Sequence, residues 1–336
     1  GAIDGGDGVW TLVSTNWTNT DGSVNGAMTP VPGYVIFSGA PGTVTADDTA
    51  GALSVTGMQF ATDGYLLTGD AIELVGSGGE AIIRVGDGTS AGEYMTATIA
   101  SDLTGSAGLV KTDLGTLILS GSLDHTGLTT LADGHIVVDG TGIGDVMINN
   151  AGSTLTLSGA GVLHAGSTLG IQNGEAIFEG TYSAGDATTT IQNGDLLTFR
   201  DDSGAGTSTI VMNGAGTQTD FRNFSSAEGA SITVGFDTEL SFFNDSTAGD
   251  ATITSLGDIS FWTNSTAGTA DITLFGSGGM IFYNNSSADQ GEIDNQGGLS
   301  FLDNSVAGTA IIDNAGDLEF SSYASADAAT INNSGL

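Results

Sequence analysis

The stretch LSFFNDSTAGDATITSLGDISFW, residues 240–262, opens on Leu240 and Phe242 and closes on Ile259 and Phe261. Inside it, apolar and polar residues alternate: Leu240 with Phe242, Ala251 with Ile253, Ile259 with Phe261. A period of two is the signature of a strand with one buried face. Between these short runs lie Asn, Asp, Ser and Gly, which bond their own backbone or accept a left-handed conformation and so favour turns. No segment of the chain carries the apolar spacing of an amphipathic helix.

The stretch is one unit of a repeat. Its register is kept by Phe178, Phe199, Phe221, Phe242, Phe261, Phe282, Phe301 and Phe320, at steps of 21, 22, 21, 19, 21, 19 and 19 residues. Six residues after each Phe stands Ala: Ala184, Ala205, Ala227, Ala248, Ala267, Ala288, Ala307 and Ala326. Eleven residues after it stands Ile, from Ile210 through Ile232, Ile253, Ile272, Ile293 and Ile312 to Ile331; only Thr189 breaks that column. Two residues before Phe are Leu240, Ile259, Met280, Leu299 and Leu318. Differences in unit length fall after the Ile column, in GDLLTF, GAGTQTDF and GSGGMIF. A loop there can lengthen without disturbing the strands.

A unit this short cannot bury its own strands, but a stack of units can, each strand pairing with its counterpart one coil away at about 4.8 Å. The fold expected is all-β: a parallel β-helix, or solenoid, with coils of about 19–22 residues, right-handed by the usual crossover preference. The invariant Ala marks a corner too tight for a larger side chain. Residues 178–336 form the regular Phe/Ala/Ile array, and 41–177 are expected to form less regular coils. There GTLILSG (115–121), GHIVVDG (134–140) and STLTLSG (153–159) are alternating strands closed by Gly. Residues 1–40 gather Trp10, Trp17, Pro30, Pro32 and Tyr34, the composition of an N-terminal capping turn. The final ATINNSGL (329–336) stops where the next Phe is due, so the array is expected to be open at its C-terminal end and cut from a longer one.

Composition narrows the function. The 336 residues include 39 Asp and Glu but only 4 Lys and Arg, a net charge of -35. Nucleic-acid backbones and anionic membranes are neutralised by clustered Lys and Arg, which this chain lacks. There are no cysteines, hence no disulfide or thiolate chemistry. Their absence also suits a chain that crosses a membrane unfolded. No basic and apolar leader opens the sequence, and no apolar run approaches the ~20 residues of a membrane helix.

Polysaccharide-cleaving enzymes also use this fold. Lyases of that kind need a Lys or Arg base, and the basic residues are Arg84, Lys111, Arg200 and Arg222. Arg200 and Arg222 each follow a column Phe, so they are expected on the outer face of neighbouring coils, with Asp201 and Asp202 beside Arg200, as an exposed ion-pair network. The carboxylates Asp245, Asp250, Asp258, Asp303, Asp313 and Asp317 are read as turn residues. Of His125, His135 and His164, only His125 has a carboxylate beside it, Asp124, with Ser120 near in sequence; no spacing suggests zinc. GGDG (5–8) and GDG (86–88) are faint echoes of calcium-binding nonapeptides. The sequons at 16–18, 223–225, 244–246, 264–266 and 285–287 mostly share one repeat corner, where an Asn-Ser turn explains them. No residue is nominated as catalytic, cofactor-binding or metal-binding, and no cofactor is expected.

The stretch GLVKTDLGTLILSGSLDHTGLTTLADGHIVVDG (108–140) resembles the autotransporter-associated β-strand repeat. Lys111, Gly115, Thr116, Leu117, Leu119, Ser120, Gly121, Thr126, Gly127, Thr129 and Gly134 match its pattern; Asp113 stands for a usual Gly and His125 for a usual Tyr. GGDGVWTLVSTNWTN (5–19) is similar to the opening of such passengers. The resemblance implies a Gram-negative passenger domain exported to the cell surface through an outer-membrane β-barrel translocator that is not in this chain. It does not fix the function; the leading expectation is a non-enzymatic structural adhesin in adhesion, self-aggregation or biofilm formation, with other copies of itself or host and neighbour cell-surface molecules as partners. The alternatives are a rigid stalk for a functional domain elsewhere, a self-assembling filament subunit joined through the Leu336 end, and, last, a polysaccharide-degrading enzyme.

Overall fold

The computed structural model describes residues 3–19 and 21–334. The terminus at Leu336, which the repeat spacing singles out, lies outside them. The chain divides into two compact units, Gly1–His164 and Ala165–Leu336. Each is a parallel β-solenoid. The only helical segment among the described residues is a 3-10 turn at Ser90–Tyr94.

In the second unit the strands follow the alternation of the sequence. Glu239–Phe242, Asp258–Phe261 and Gly279–Phe282 end on the column Phe, and each pairs in parallel with its counterpart one coil on. The register sets Phe178 on Phe199 and continues without a slip to Phe301 on Phe320. A second ladder sets Ile210 on Ile232 and runs on to Ile312 and Ile331. Nine residues separate every Phe strand from the following Ile strand, whereas two to four separate an Ile strand from the next Phe strand. Length variation therefore sits at the corner where the sequence places it.

The long corner holds a third ladder that the alternation does not announce. Single-residue bridges run from Ser183 to Gly204, Ser226, Thr247, Thr266, Ser287, Val306 and Ser325. One residue per coil is too short a segment to show a period of two.

The inward columns form the core. Rings of Phe178 to Phe320 stack with centroids 4.6–4.9 Å apart and planes within 18° of parallel. The strand repeat imposes that spacing. It exceeds face contact between carbons, about 3.5–4.0 Å, so the rings are slipped rather than eclipsed, the arrangement their quadrupoles prefer. The corner alanines from Ala205 to Ala307 are fully buried. A second small column, nine residues after Phe, lies beside them: Ala187, Ser208, Ala230, Ala251, Ala270 and Ala310.

Two positions in each coil take a left-handed backbone. Two residues after Phe these are Asp201, Asn223, Asn244, Asn284 and Asp303, at φ of 58–62°, and Thr263 at 66°. Asn and Asp tolerate this region, whereas a β-branched residue there is strained. The buried Ser that ends the same turn donates to the carbonyl of the Phe one coil back: Ser203 to Phe178, Ser225 to Phe199, Ser246 to Phe221 and Ser265 to Phe242, each at 3.1 Å. The Asn-Ser sequons are thus the chemistry of a turn.

The first unit stacks with longer and less equal coils. One ladder runs from Tyr65–Gly69 through Thr96–Ile99 and Thr116–Leu119 to His135–Val138. Another runs from Gly33–Phe37 through Leu53–Phe60, Glu80–Val85 and Gly108–Thr112 to Thr129–Leu131. Val146–Leu157 joins both, pairing with Thr129–Leu131 at one end and His135–Val138 at the other. Trp10 is buried, edge-on to Trp17 at 5.4 Å and to Phe37 at 6.3 Å, while Phe37 stacks on Phe60 at 4.9 Å.

Two substitutions test the ladder by chemical denaturation. Phe261→Ala removes a ring stacked on both sides and should cost about 3–5 kcal/mol. Thr263→Asn restores the residue type of its column and should stabilise by about 1 kcal/mol, since a side chain unsuited to the left-handed region costs on the order of 1–3 kcal/mol. No gain from Thr263→Asn would contradict the assignment of strain to that turn.

Candidate functional site

Because the column Phe points inward, the residue after it begins a turn on the outside of the coil. In successive coils of the second unit this residue is Arg200, Arg222, Phe243, Trp262 and Tyr283. The three aromatic residues are half-buried and form an outer ladder. Phe243 and Trp262 rings are 6.4 Å apart and Trp262 and Tyr283 rings 3.9 Å apart, all nearly parallel. The guanidinium of Arg222 lies over Phe243, 4.6 Å from its centroid, and bonds Asp220 at 2.6 Å.

The residues before Phe supply the floor beside this ladder. Thr198, Asp220, Ser241 and Ser260 are all under a tenth exposed although they face away from the core. Trp262 Nε1 donates to Ser260 Oγ at 2.9 Å; Ser260 and Ser241 share a bond of 2.8 Å; Ser241 Oγ donates to Glu239 Oε1 at 2.9 Å. A hydrogen-bonded chain thus ties the ladder to a carboxylate. Burial raises the Asp220 carboxyl above its usual value, against the pull of Arg222. The sequence signal for this ladder is plain in retrospect: the doublets Phe242-Phe243, Phe261-Trp262 and Phe282-Tyr283. Registering on the first residue of each doublet conceals the second.

The rest of the outer surface is mostly polar, although Phe224, Phe236, Phe275, Ile311 and Tyr323 are exposed on it. Asp271 stands in register with Glu292, and Asp294 with Asp313. The left-handed corner carries an amide and carboxylate ladder: Asn223 Nδ2 donates to Asp201 Oδ1, and Asn264 Nδ2 to Asp245 Oδ1, each at 3.1 Å. The reading of the acids as turn residues needs correction at three positions. Asp258 and Asp317 open strands and Asp313 lies within one, all exposed, because an outward strand position tolerates a carboxylate as readily as a turn does.

The interior is not wholly apolar. Two residues beyond the Ile column the inward position is Ile191, Met212 and Val234, then Ser255, Leu274, Asn295 and Asn314. Buried Asn295 donates to Asn314 Oδ1 at 2.6 Å and to the Asp317 carbonyl at 2.7 Å, and Asn314 donates to Asn333 Oδ1 at 3.0 Å. Stacked amides bond each other along a ladder as strand backbones do. Asn read as a turn residue hides this core.

Arg84, Lys111, Arg200 and His125 have partners of their own. Arg200 bonds Glu179, its Nε donating at 2.9 Å, rather than Asp201 or Asp202 as the sequence suggests. The coil offsets these pairs: Asp201 enters the left-handed turn and receives Asn223 and the Gly180 N–H. Arg84 pairs with Asp113 at 3.0 Å. Lys111 is fully buried and donates to the carbonyls of Asp113, Asp133 and Thr112, at 2.6, 3.1 and 3.2 Å. Burial lowers its ammonium to about 8, against the pull of Asp133 and Asp113. His125 is buried, bonded to Thr129 Oγ1 at 2.9 Å rather than to Ser120, and burial lowers its pKa. Among the described residues no group of three or more His, Asp and Glu is placed to hold a metal ion.

Over 238 residues, 64% of this chain, the sequence is 34% identical to the adhesin BmaC autotransporter of Brucella suis biovar 1 (strain 1330). The chain spans about 7% of the length of that relative. No family model matches the chain, so the resemblance of 108–140 to a strand repeat stands on its residues. No solved structure matches it either. The chain is thus a homologue of part of an autotransporter adhesin, and its parallel β-solenoid is consistent with a passenger domain.

Lys111 gives a pH test. Unfolded, it titrates near its ordinary 10.5; folded, near 8. Below about pH 8 the buried charge is carried in full and weakens the fold. As pH rises from about 8 toward 10.5 the folded side chain loses its proton first, and that cost is relieved. The unfolding free energy of the wild type should therefore gain on that of Lys111→Met across this window, by up to roughly 3 kcal/mol. A constant difference between the two would contradict the burial of a strained charge.

Proposed function

We propose that the chain is a stretch of a Gram-negative autotransporter passenger, exported through an outer-membrane β-barrel and displayed at the cell surface as a structural adhesin. The observation that carries this reading is the identity to an adhesin autotransporter along most of the chain, joined to a fold whose outward residues form long, regular rows. The adhesive role covers attachment to host or neighbour cells, self-aggregation and biofilm formation. Its mechanism is distributed: rows of hydroxyl, amide and carboxylate groups repeat at each coil, and many weak contacts along two surfaces add through avidity. In this reading residues 1–40 cover the first coil, and the non-enzymatic assignment rests on the kinship with an adhesin.

A second reading, a rigid stalk, is favoured by the small share of the relative that the chain spans. Display separates the two. Cells or beads carrying this chain alone should adhere to host cells or aggregate with one another several-fold above carriers of an unrelated acidic protein. Carriers that remain dispersed and non-adherent, with the chain folded on their surface, would favour the stalk.

A further inference from the structure

Successive coils of the second unit carry the pair Asn-Gly at the corner between the Ile and Phe ladders: Asn173-Gly174, Asn193-Gly194 and Asn213-Gly214. A fourth pair, Asn25-Gly26, belongs to the first unit. Glycine has no side chain to shield its amide nitrogen, so that nitrogen can reach Cγ of the Asn before it. We propose that Asn213 is a site of spontaneous covalent modification, converting through a cyclic imide to aspartate and isoaspartate, while the fold holds back its two counterparts. Gly214 N loses its proton and bonds Asn213 Cγ; the Cγ–Nδ2 bond breaks and ammonia leaves. Water then opens the imide. Opening at Cγ gives aspartate, and opening at the main-chain carbonyl gives isoaspartate, with the chain running through Cβ. Water is the co-reactant, and nothing is oxidised or reduced.

The backbone separates the three. Asn173 lies inside the strand Thr168–Phe178, and the Gly174 N–H donates to Asp195 Oδ1 at 2.9 Å. Asn193 is left-handed, at φ 58°, in a turn closed by the Asp195 N–H on the Gln192 carbonyl at 3.3 Å, and the Gly194 N–H donates to Thr217 Oγ1 at 3.3 Å. In both pairs the nitrogen that must attack is already engaged. Asn213 ends its strand, residues 213–216 are all exposed, and the Gly214 N–H has no acceptor among the described residues. What restrains Asn213 is its carbonyl, which accepts from Thr217 Oγ1 at 2.9 Å and from the Asn193 N–H at 3.1 Å. Attack requires the Asn213 carbonyl to rotate about its bond to Cα, which breaks both. The single buried hydroxyl of Thr217 thus guards both Asn213 and Asn193. The corner is also where the coils vary in length, so an extra main-chain atom there leaves the ladders on either side in place. Each conversion adds one negative charge to an exposed corner, a mark of the age of the chain. The inference does not depend on the adhesin reading.

Incubation of the purified chain in warm, mildly alkaline buffer tests the proposal, with peptide mapping by mass spectrometry and enzymatic labelling of isoaspartate as the readouts. Conversion at Asn213 should outpace that at Asn193 and at Asn173 by about fivefold or more, the rate equivalent of one net hydrogen bond on the attacking nitrogen. Its product should contain isoaspartate as well as aspartate. Thr217→Ala should speed Asn213 by about fivefold and quicken Asn193 as well, while Asn173, whose Gly174 bonds Asp195, keeps its rate. If Thr217→Ala loses its fold, the order of the three sites in the wild type carries the test. Equal rates at the three sites, or a faster Asn173 or Asn193, would overturn the proposal. So would aspartate without isoaspartate, the product of direct hydrolysis, or a folded Thr217→Ala chain that converts Asn213 no faster than the wild type.

Discussion

The parallel strand spacing of about 4.8 Å governs this protein, because it brings each side chain against its own counterpart one coil away. A residue that packs well with itself is therefore rewarded at every coil. Phe slips into an offset stack, Ile covers Ile, Asn bonds Asn, and Ser ties its turn to the coil before it. The same constraint fixes the small residues. A corner lined by Ala184 to Ala307 has no room for a larger side chain in any coil, since the coil above repeats the corner. Stability is then close to a sum of coil and neighbour terms, as in other solenoids.

Self-complementarity is also compatible with much negative charge on the outside. Register places like on like, and stacked carboxylates such as Asp294 and Asp313 repel through solvent, where the repulsion is small and screened. Inside, the same rule favours neutral polar groups that both donate and accept. Asn295 and Asn314 satisfy it, whereas a column of buried charge would not. Lys111 shows the cost: its single buried ammonium needs three carbonyls from two coils.

The ladder columns were legible in the sequence because Phe, Ala and Ile recur at fixed offsets and alternate with polar neighbours. What stayed hidden shares one cause, that a residue type was read for its commonest role. The bridge ladder from Ser183 to Ser325 is a single residue wide and looks like loop. Asn295 and Asn314 look like turn residues and are core. Trp262 and Tyr283 look like extra apolar residues beside the column Phe and are the outer ladder. Thr189 breaks the Ile column in the same coil where Tyr182, packed edge-on against Phe178, stands in the Ser position. Arg200 found Glu179 one coil back, a partner that only the stacking register reveals.

The most direct measurement is electron–electron distance between spin labels placed on one outward row of the second unit. Thr209 is labelled together with Asp271, Glu292 or Ile311, which the register puts three, four and five coils away. The separation should grow by about 4.8 Å at each step of that series, whatever offset the labels add. Separations that fail to rise with coil number would mean that equal residues do not lie above one another, and the ladder would not exist.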